Sequence, residues 1–444
     1  MREVPATRVG RRHVFFVAGY DPMTVEGHHR IVLREMKRFG TVWRAATRCR
    51  DAAPVPTPTG ALWRSEAEGQ GWHTATTFEI LAWDDLARAD MQRPVRSHLR
   101  GSVRAIIDMV TSGTLLAYFR TSRRYGVFFL FTYLLLLAFW AAAVAVGIGA
   151  AQWLAPHLGA LAAGLFGVAV ALASGLLLMR WPGRRFRLRQ SLDLAEFSVD
   201  FAHGRHPEVD ARVAAFAERL RAVAAEAARE GVDEEGLDEI VIAGHSLGAM
   251  HAVSTVAAAL DEDPAFGTRV PVRILTLGST TAKFALHPAG TRLRAAAQRV
   301  AAAPQIGWME VQSRDDIVSF YKVNPVTLDR ATFAEPQLAV GDFAQRPLLR
   351  HVPVRDMVSA ATYRRFFFDV MRRHCQCFLA SDIRAPHDFY AYVCGPFAFD
   401  VLAAHLHALC AYMAPDGAPL PAALDAGGRL MPVVTMPLPD HAPS

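Results

Sequence analysis

The sequence predicts an α/β fold with a mostly parallel sheet, interrupted by a long apolar insertion. Two observations support this prediction. Short apolar runs typical of buried strands alternate with helix-patterned segments on both sides of residues 125–179. Those 55 residues contain no Asp, Glu, Lys or Arg. Alternation of strands and helices favours a parallel sheet covered by helices on both faces.

The segment before the insertion begins with a buried-strand pattern at residues 13–18, which ends at Gly19. Apolar residues at helical spacing then predict a helix over 30–39. Two further strands are predicted over 41–47 and 72–83, where Thr and aromatic residues are frequent. Residues 84–119 have a largely helical pattern, so we assign 1–120 to the first part of the α/β domain.

The segment after the insertion supplies the larger part of the domain, which we place at 181–420. Its predicted elements and its irregular parts follow the chain in this order: a helix over 210–230, a strand over 238–243, a helix over 249–260, strands over 272–277 and 308–312, an irregular excursion over 335–352 that could cover the site, and a loose tail rich in Pro and Ala over 421–444.

The charge-free insertion, residues 125–180 with its closing Arg, predicts a transmembrane helical hairpin. It is long enough for two spans of about 20 residues each, near 127–147 and 158–179, with Pro156 in the turn between them. Arginines flank both outer ends, and the turn has no Lys or Arg. The positive-inside rule therefore predicts an integral protein of a bacterial inner membrane, with the soluble domain and both termini cytoplasmic. Residues 1–12 lack the apolar core of a signal peptide.

Composition argues against several other classes of protein. The net charge is +6, but the arginines are dispersed and no nucleic-acid motif accompanies them, so nucleic-acid binding is not expected. Five cysteines at irregular spacing favour a reducing compartment. The run His374-Cys375-Gln376-Cys377 lacks the second ligand pair of a structural zinc site, and we predict no metal.

The strongest chemical signal is Gly244-His245-Ser246-Leu247-Gly248, which lies between a predicted strand and an Ala-rich predicted helix. A nucleophilic serine on a sharp strand-to-helix turn needs small neighbours two positions before and after it. Ser246 is therefore the predicted nucleophile, and residues 244–248 are the predicted nucleophile elbow. The backbone N–H of Leu247, at the start of the helix, is a predicted donor to an oxyanion.

An acid and a histidine are expected downstream of this serine, in that order. The loop after the strand over 308–312 offers Asp316 as the acid, with Asp315 as the alternative. His387, between a Pro-marked loop and an aromatic run, is the predicted base. A second oxyanion donor is sought in the backbone after the first strand, at Tyr20 or its neighbour, although an ordinary turn explains that segment equally well.

These residues resemble those of the α/β-hydrolase superfamily and, within it, the class 3 (fungal-type) lipases. The resemblance rests on the Ser246 pentapeptide, on Asp316-Ile317-Val318 and on His387 followed by Tyr390, and it covers most of the chain outside the insertion. It implies hydrolysis of carboxylic esters through an acyl-serine, without a cofactor. Together with the insertion, it implies a membrane-anchored enzyme acting on acyl lipids of the bilayer. A thioesterase or acyltransferase with the same triad, and a non-catalytic membrane scaffold, are the alternatives. The oligomeric state is not indicated.

Overall fold

The computed structural model describes residues 8–185, 188–230 and 236–432, and its core is a nine-stranded sheet. The strands are β1 (Arg11–Val17), β2 (Ala46–Cys49), β3 (Val55–Thr57), β4 (Gly60–Gly69), β5 (Trp72–Leu81), β6 (Glu239–His245), β7 (Val272–Leu277), β8 (Ile306–Gln312) and β9 (Leu348–His351). Their order is β2-β4-β5-β1-β6-β7-β8-β9, and β3 pairs with β4. The pairs from β5 to β9 are parallel, whereas β2, β3 and β5 are antiparallel to β4.

Helices connect the strands and cover the sheet. Those before the elbow are α1 (Val25–Trp43), α2 (Asp84–Met91), α3 (Val95–Thr111), α4 (Thr114–Thr121), α5 (Arg123–Arg180), α6 (Pro182–Arg185), α7 (Leu188–Ala202) and α8 (Pro207–Glu230). Those after it are α9 (Leu247–Glu262), α10 (Thr281–Ala285), α11 (Thr291–Ala301), α12 (Ala360–Phe366), α13 (Val370–Cys375), α14 (Ala391–Cys394), α15 (Phe399–Ala404) and α16 (Ala408–Tyr412). Two 3-10 turns cover Val354–Asp356 and Gln376–Phe378.

Strand β1 shows how the core is divided between the two faces of the sheet. Val14 and Phe16 enter one apolar cluster, which also contains residues of α1 and of the C-terminal helices. Phe15 and Val17 enter the other cluster, formed with α8, α9 and α11. Successive side chains of a strand point to opposite faces. The predicted α/β fold with a mostly parallel sheet is thereby confirmed.

Several element boundaries differ from the predictions for physical reasons. Residues 41–43 belong to α1, because Trp43 is fully buried on the helix face that packs against the sheet, and β2 begins only at Ala46. Strand β4 was not predicted, since its inward residues include Ser65 and Ala67, which give a weak hydrophobic alternation. In the predicted tail, Ala422–Leu424 (β10) and Leu430–Pro432 (β11) form an antiparallel pair, and the rest of the tail lies outside the described residues.

The predicted membrane topology is wrong. Among the described residues one helix, α5, is long and apolar enough to cross a membrane, where two separate spans were expected. Only 17% of its most apolar window is buried within the protein. The two-span inner-membrane arrangement, with the soluble domain and both termini cytoplasmic, therefore does not describe this chain. The charge-free composition indicated a long apolar segment, and the structure has this segment as one helix, Arg123–Arg180.

Helix α5 is not uniform along its length. Gly159 has φ 78° and ψ 163°, which are not helical values. Residues on either side of it contact each other: a Cβ added to Gly147 would lie 2.5 Å from the carbonyl oxygen of Gly167, and one added to Gly175 would lie 2.6 Å from the Trp140 ring. Small residues thus allow two stretches of α5 to approach closely.

Glu79 on β5 connects the sheet to α8 through a buried ion pair. Its carboxylate accepts hydrogen bonds from Nε and Nη2 of Arg219, both at 2.9 Å, and lies 3.1 Å from His13 Nε2. Burial alone would raise the pKa of Glu79, but the hydrogen bonds from His13 and Arg219 outweigh it and lower the pKa to about 2.

We therefore expect Glu79→Gln to lower the free energy of unfolding by about 3 kcal/mol, because it leaves Arg219 without its partner. Since the folded-state pKa is depressed, the stabilisation is present above the unfolded-state pKa near 4.5 and is lost as the pH falls toward 2. Thermal unfolding across this pH range, in detergent, measures both effects. Asp261→Asn, which removes the exposed pair with Arg299, is the control and is expected to change stability by less than about 0.5 kcal/mol. Equal effects of the two substitutions would contradict the prediction.

Candidate active site

Ser246 lies in a strained turn at the carboxyl end of β6, immediately before α9. Its φ of 56° and ψ of −118° are outside the regions that residues with a side chain normally adopt. The turn is held by its backbone: Ser246 N donates to Leu277 O at 2.9 Å, and Thr280 N donates to Ser246 O at 3.3 Å. Such strain, about 1–3 kcal/mol, persists where the surroundings enforce it, and it is concentrated at functional sites.

The glycines on either side of Ser246 are required by space. A Cβ on Gly244 would lie 2.4 Å from the carbonyl oxygen of Gly248, and a Cβ on Gly248 would lie 2.1 Å from that of Val17. These neighbours are backbone atoms, which cannot rotate away. The predicted role of both glycines in a close strand-to-helix turn agrees with these contacts.

Gly248→Ala is therefore expected to lower the free energy of unfolding by about 3 kcal/mol, because α9 must move away from β1. Thermal unfolding of the purified variant measures the loss. Gly10→Ala is a suitable control, since the nearest atom to its added Cβ is 3.7 Å away, an ordinary contact. A Gly248→Ala protein as stable as the control would show that the turn is not close-packed.

Asp316 and His374 form a buried pair on the carboxyl side of the sheet. Asp316 Oδ2 lies 2.7 Å from His374 Nδ1, while Asp316 Oδ1 accepts from the N–H of Val318 at 2.9 Å. Burial alone would raise the pKa of Asp316; the charge of His374, its hydrogen bond and the backbone N–H of Val318 together lower it. An ionised Asp316 accepts a hydrogen bond from the Nδ1–H of His374, so this ring nitrogen carries a proton.

The other ring nitrogen of His374 is unsatisfied. Nε2 is buried and has no hydrogen-bond partner in the described part of the chain. Other buried atoms of the described residues, such as both ring nitrogens of His251, also lack a partner, so what distinguishes His374 Nε2 is the carboxylate bound to the opposite ring nitrogen. Gly278 permits the arrangement, because a Cβ there would lie 3.1 Å from Asp316 Oδ2 and 3.3 Å from His374 Cε1. Gly278 directly follows Leu277, whose carbonyl binds Ser246 N.

His387, the predicted base, is not brought to Asp316. Its Nε2 is hydrogen-bonded to the carbonyl oxygen of Cys377 at 2.9 Å, and its ring lies against Tyr392 with centroids 5.9 Å apart. Burial, opposed only by that hydrogen bond, lowers the pKa of His387 to about 4. A neutral imidazole donating to a carbonyl is a structural contact. The place beside the acid is taken by His374.

The remaining predicted residues are distributed as follows. Asp315, the alternative acid, accepts from the N–H of Val354 at 3.0 Å. Leu247 is the first residue of α9, so its N–H has no acceptor one turn earlier in that helix. Gly19 lies against the nucleophile, with its added Cβ 3.6 Å from Ser246 Oγ, and Tyr20 follows it directly. The Tyr20 side chain turns away to Asp90, so only its backbone is available to the site.

His245, the residue before Ser246, contacts both the backbone and the ring of His374. Its Nε2 lies 3.2 Å from the carbonyl oxygen of His374, and the two rings are 4.6 Å apart. Burial, reinforced by the charge of His374, lowers the pKa of His245 to about 3. A neutral His245 can therefore donate from Nε2 and hold the end of α13 in place.

One group of side chains has the composition of a metal site. Asp108 lies 3.0 Å from His203 Nε2 and 2.6 Å from His287 Nε2, and ligand atoms of the three side chains lie within 4.8 Å of one another. However, His287 Nδ1 accepts from the N–H of Ala289 at 3.1 Å, which places the ring proton on Nε2. That nitrogen then donates to Asp108 and has no lone pair for a metal. The group is better explained as a hydrogen-bonded link between α3, the end of α7 and the turn after α10.

Comparison with known proteins does not assign the chain to a family: no family model, curated protein or solved structure matches it.

Proposed function

We propose that the protein is a serine hydrolase of carboxylic esters in which Ser246, His374 and Asp316 form the catalytic triad. The observation that carries this proposal is the buried Asp316–His374 pair, whose unpartnered Nε2 lies at the same edge of the sheet as the strained turn of Ser246. A charged acceptor on Nδ1 and a free lone pair on Nε2 are what a general base for a serine requires.

The proposed reaction has two steps, acylation of Ser246 and hydrolysis of the acyl-serine. As Ser246 Oγ bonds to the acyl carbon, its proton passes to His374 Nε2, and the carbonyl oxygen gains negative charge. The backbone N–H groups of Leu247 and Tyr20 stabilise that oxyanion. When the ester bond breaks, the leaving alkoxide takes the proton from Nε2. Water then attacks the acyl-serine, giving its proton to Nε2, and Ser246 recovers the proton as the acid leaves.

We further propose that α5 anchors the enzyme to a bilayer. Its outer residues are large, apolar and solvent-exposed: Leu161 is 80% exposed, and Leu165 is 67% exposed. A continuous apolar surface of this extent is a lipid or protein contact.

Helix α5 also contacts the loop that carries the acid. The ring of Tyr125, in its first turn, stacks on that of Phe320 with centroids 4.0 Å apart. Phe320 follows Asp316 by four residues. The anchor and the proposed active site therefore share one edge of the domain, which favours acyl lipids as substrates.

A fluorophosphonate probe tests the proposed nucleophile. We expect the full-length protein in detergent to be labelled covalently and Ser246→Ala to remain unlabelled, because the probe reacts only with an activated serine. Ser254, a second serine on α9, supplies the control: Ser254→Ala should be labelled like the wild type. A wild-type protein without labelling, or labelling that persists in Ser246→Ala, would refute the proposed function.

A further inference from the structure

The segment that carries His374 has an exposed apolar tip. Phe367 and Phe368, between α12 and α13, are 46% and 84% exposed. Their rings contact each other, with centroids 5.1 Å apart, but Phe368 has little other cover. Adjacent exposed aromatic rings are costly in water, and such groups usually mark an interaction site.

Arginines surround this tip. Arg364 and Arg365 are in the last turn of α12, and Arg372 and Arg373 are in α13. The guanidinium of Arg372 lies 4.8 Å from the ring centre of Phe366, and that of Arg373 lies 5.8 Å from that of Phe367. Within residues 364–373 the only acid is Asp369, which caps α13, so the segment has a net charge of +3. We call Phe367, Phe368 and these four arginines the aromatic–arginine patch.

Positive charge extends from the patch onto α1. Burial lowers the pKa of Arg372; the charge of Glu35 opposes this effect, and the smaller effects of Arg38 and Arg34 add to it. The Glu35 carboxylate forms ion pairs with Arg34 at 2.6 Å and with Arg38 at 3.5 Å. One carboxylate therefore does not neutralise the charges of these arginines and Arg372. The surroundings of the patch therefore favour an anionic partner.

The patch lies beside the proposed active site. His374 follows Arg373 directly, and its Nδ1 binds Asp316. Asp316 in turn belongs to the loop that packs against the start of α5 through Phe320. The patch is thus connected along the chain to the proposed base and, through the Asp316 loop, to the start of α5.

We propose that the aromatic–arginine patch docks on an anionic lipid bilayer, with Phe367 and Phe368 inserted among the acyl chains and the exposed Arg364 and Arg365 bound to headgroup phosphates. This proposal rests on the proposed function for its location beside α5. Aromatic rings insert at the interface between headgroups and acyl chains, and each arginine near an anionic surface adds to the attraction. Docking brings the His374 segment to the bilayer and thereby delivers acyl lipids to Ser246.

Fluorescence in lipid nanodiscs tests the docking without relying on activity. Full-length Phe368→Trp is placed in nanodiscs of phosphatidylglycerol that carry bromine on the acyl chains, and its emission is compared with that of the wild type. We expect the added Trp to be quenched in these discs and to be less quenched in brominated phosphatidylcholine discs. Val55→Trp, at an exposed position of β3, is the control and should not be quenched.

Hydrolysis provides the second measurement. Arg364→Gln/Arg365→Gln is expected to lower hydrolysis of phosphatidylglycerol in nanodiscs about tenfold, while hydrolysis of a soluble short-chain ester stays within about twofold. Absence of Phe368→Trp quenching in anionic discs would overturn the docking proposal, whatever the activity. If the emission of Phe368→Trp changed on addition of polyglutamate but not of lipid, the docking proposal would be overturned. The patch would then be a binding site for an acidic protein. If Phe368→Trp were quenched but no Ser246-dependent hydrolysis were found, the docking proposal would hold and only the proposed function would be refuted.

Discussion

His374→Ala is expected to lower kcat/KM for a soluble short-chain ester by about 10³-fold to 10⁴-fold, because it removes the proposed base for the Ser246 proton. The effect is expected in kcat, with KM nearly unchanged, since His374 is required for the chemical step rather than for ground-state binding. Circular dichroism of the purified variant checks that the fold is retained.

His387 supplies the matched comparison. His387→Gln keeps a side-chain N–H that can reach the carbonyl oxygen of Cys377, the partner of His387 Nε2 at 2.9 Å. We expect this variant to retain activity within about threefold and to lose only some thermal stability, about 1 kcal/mol. The opposite result, a silent His374→Ala and an inactive His387→Gln, would restore His387 as the base and reject the triad proposed from the structure.

The choice between these histidines shows where local sequence patterns stop being informative. Both lie downstream of Asp316, and His387 has the more suggestive context because Pro386 marks a loop. His374 is in the last turn of a six-residue helix, capped by the side chain of Asp369. Short helices of this kind have no clear periodicity. Which histidine reaches Asp316 depends on how the chain between Asp316 and His374, 58 residues apart, folds back.

The elbow, by contrast, could be predicted because most of its determinants are local. Strand β6 is fully buried, and Gly244 is required by the backbone of Gly248 within the same turn. The requirement for Gly248 is not local, since it comes from the carbonyl oxygen of Val17 on β1. Buried parallel strands give continuous apolar runs that can be identified without knowledge of their neighbours. Strand β4 lies on the antiparallel side of the sheet and has charged residues on its outer face, so its pattern was too weak to be predicted.

Helix α5 has one feature that the local sequence predicts and one that it does not. Its lack of charge made the segment unmistakable, yet the expected turn at Pro156 lies inside the helix, and the backbone departs from helical values three residues later, at Gly159. Proline indicates where a helix can break, whereas a glycine at positive φ is where the chain can reverse direction. Hydropathy alone does not distinguish these two positions.

Asp316→Asn is expected to lower kcat/KM about 10³-fold to 10⁴-fold, nearly as much as loss of His374 itself. The carboxylate accepts the Nδ1–H of His374, which leaves the Nε2 lone pair free for the serine proton. An asparagine can present its N–H₂ to Nδ1 instead, and this stabilises the tautomer with the proton on Nε2. His374 would then be held in place but unable to act as a base.

Asp315→Asn separates this effect from a general loss of the loop. Asp315 accepts only from backbone, the N–H of Val354 at 3.0 Å, and an asparagine oxygen can accept the same hydrogen bond. Its activity on the soluble ester should stay within about threefold of the wild type. Because Asp316 also orders the loop through the N–H groups of Val318 and Ser319, circular dichroism of both variants must accompany the kinetics. If Asp315→Asn lost activity while Asp316→Asn kept it, the acid would be Asp315, and the His374 pair would be a structural contact with no part in catalysis.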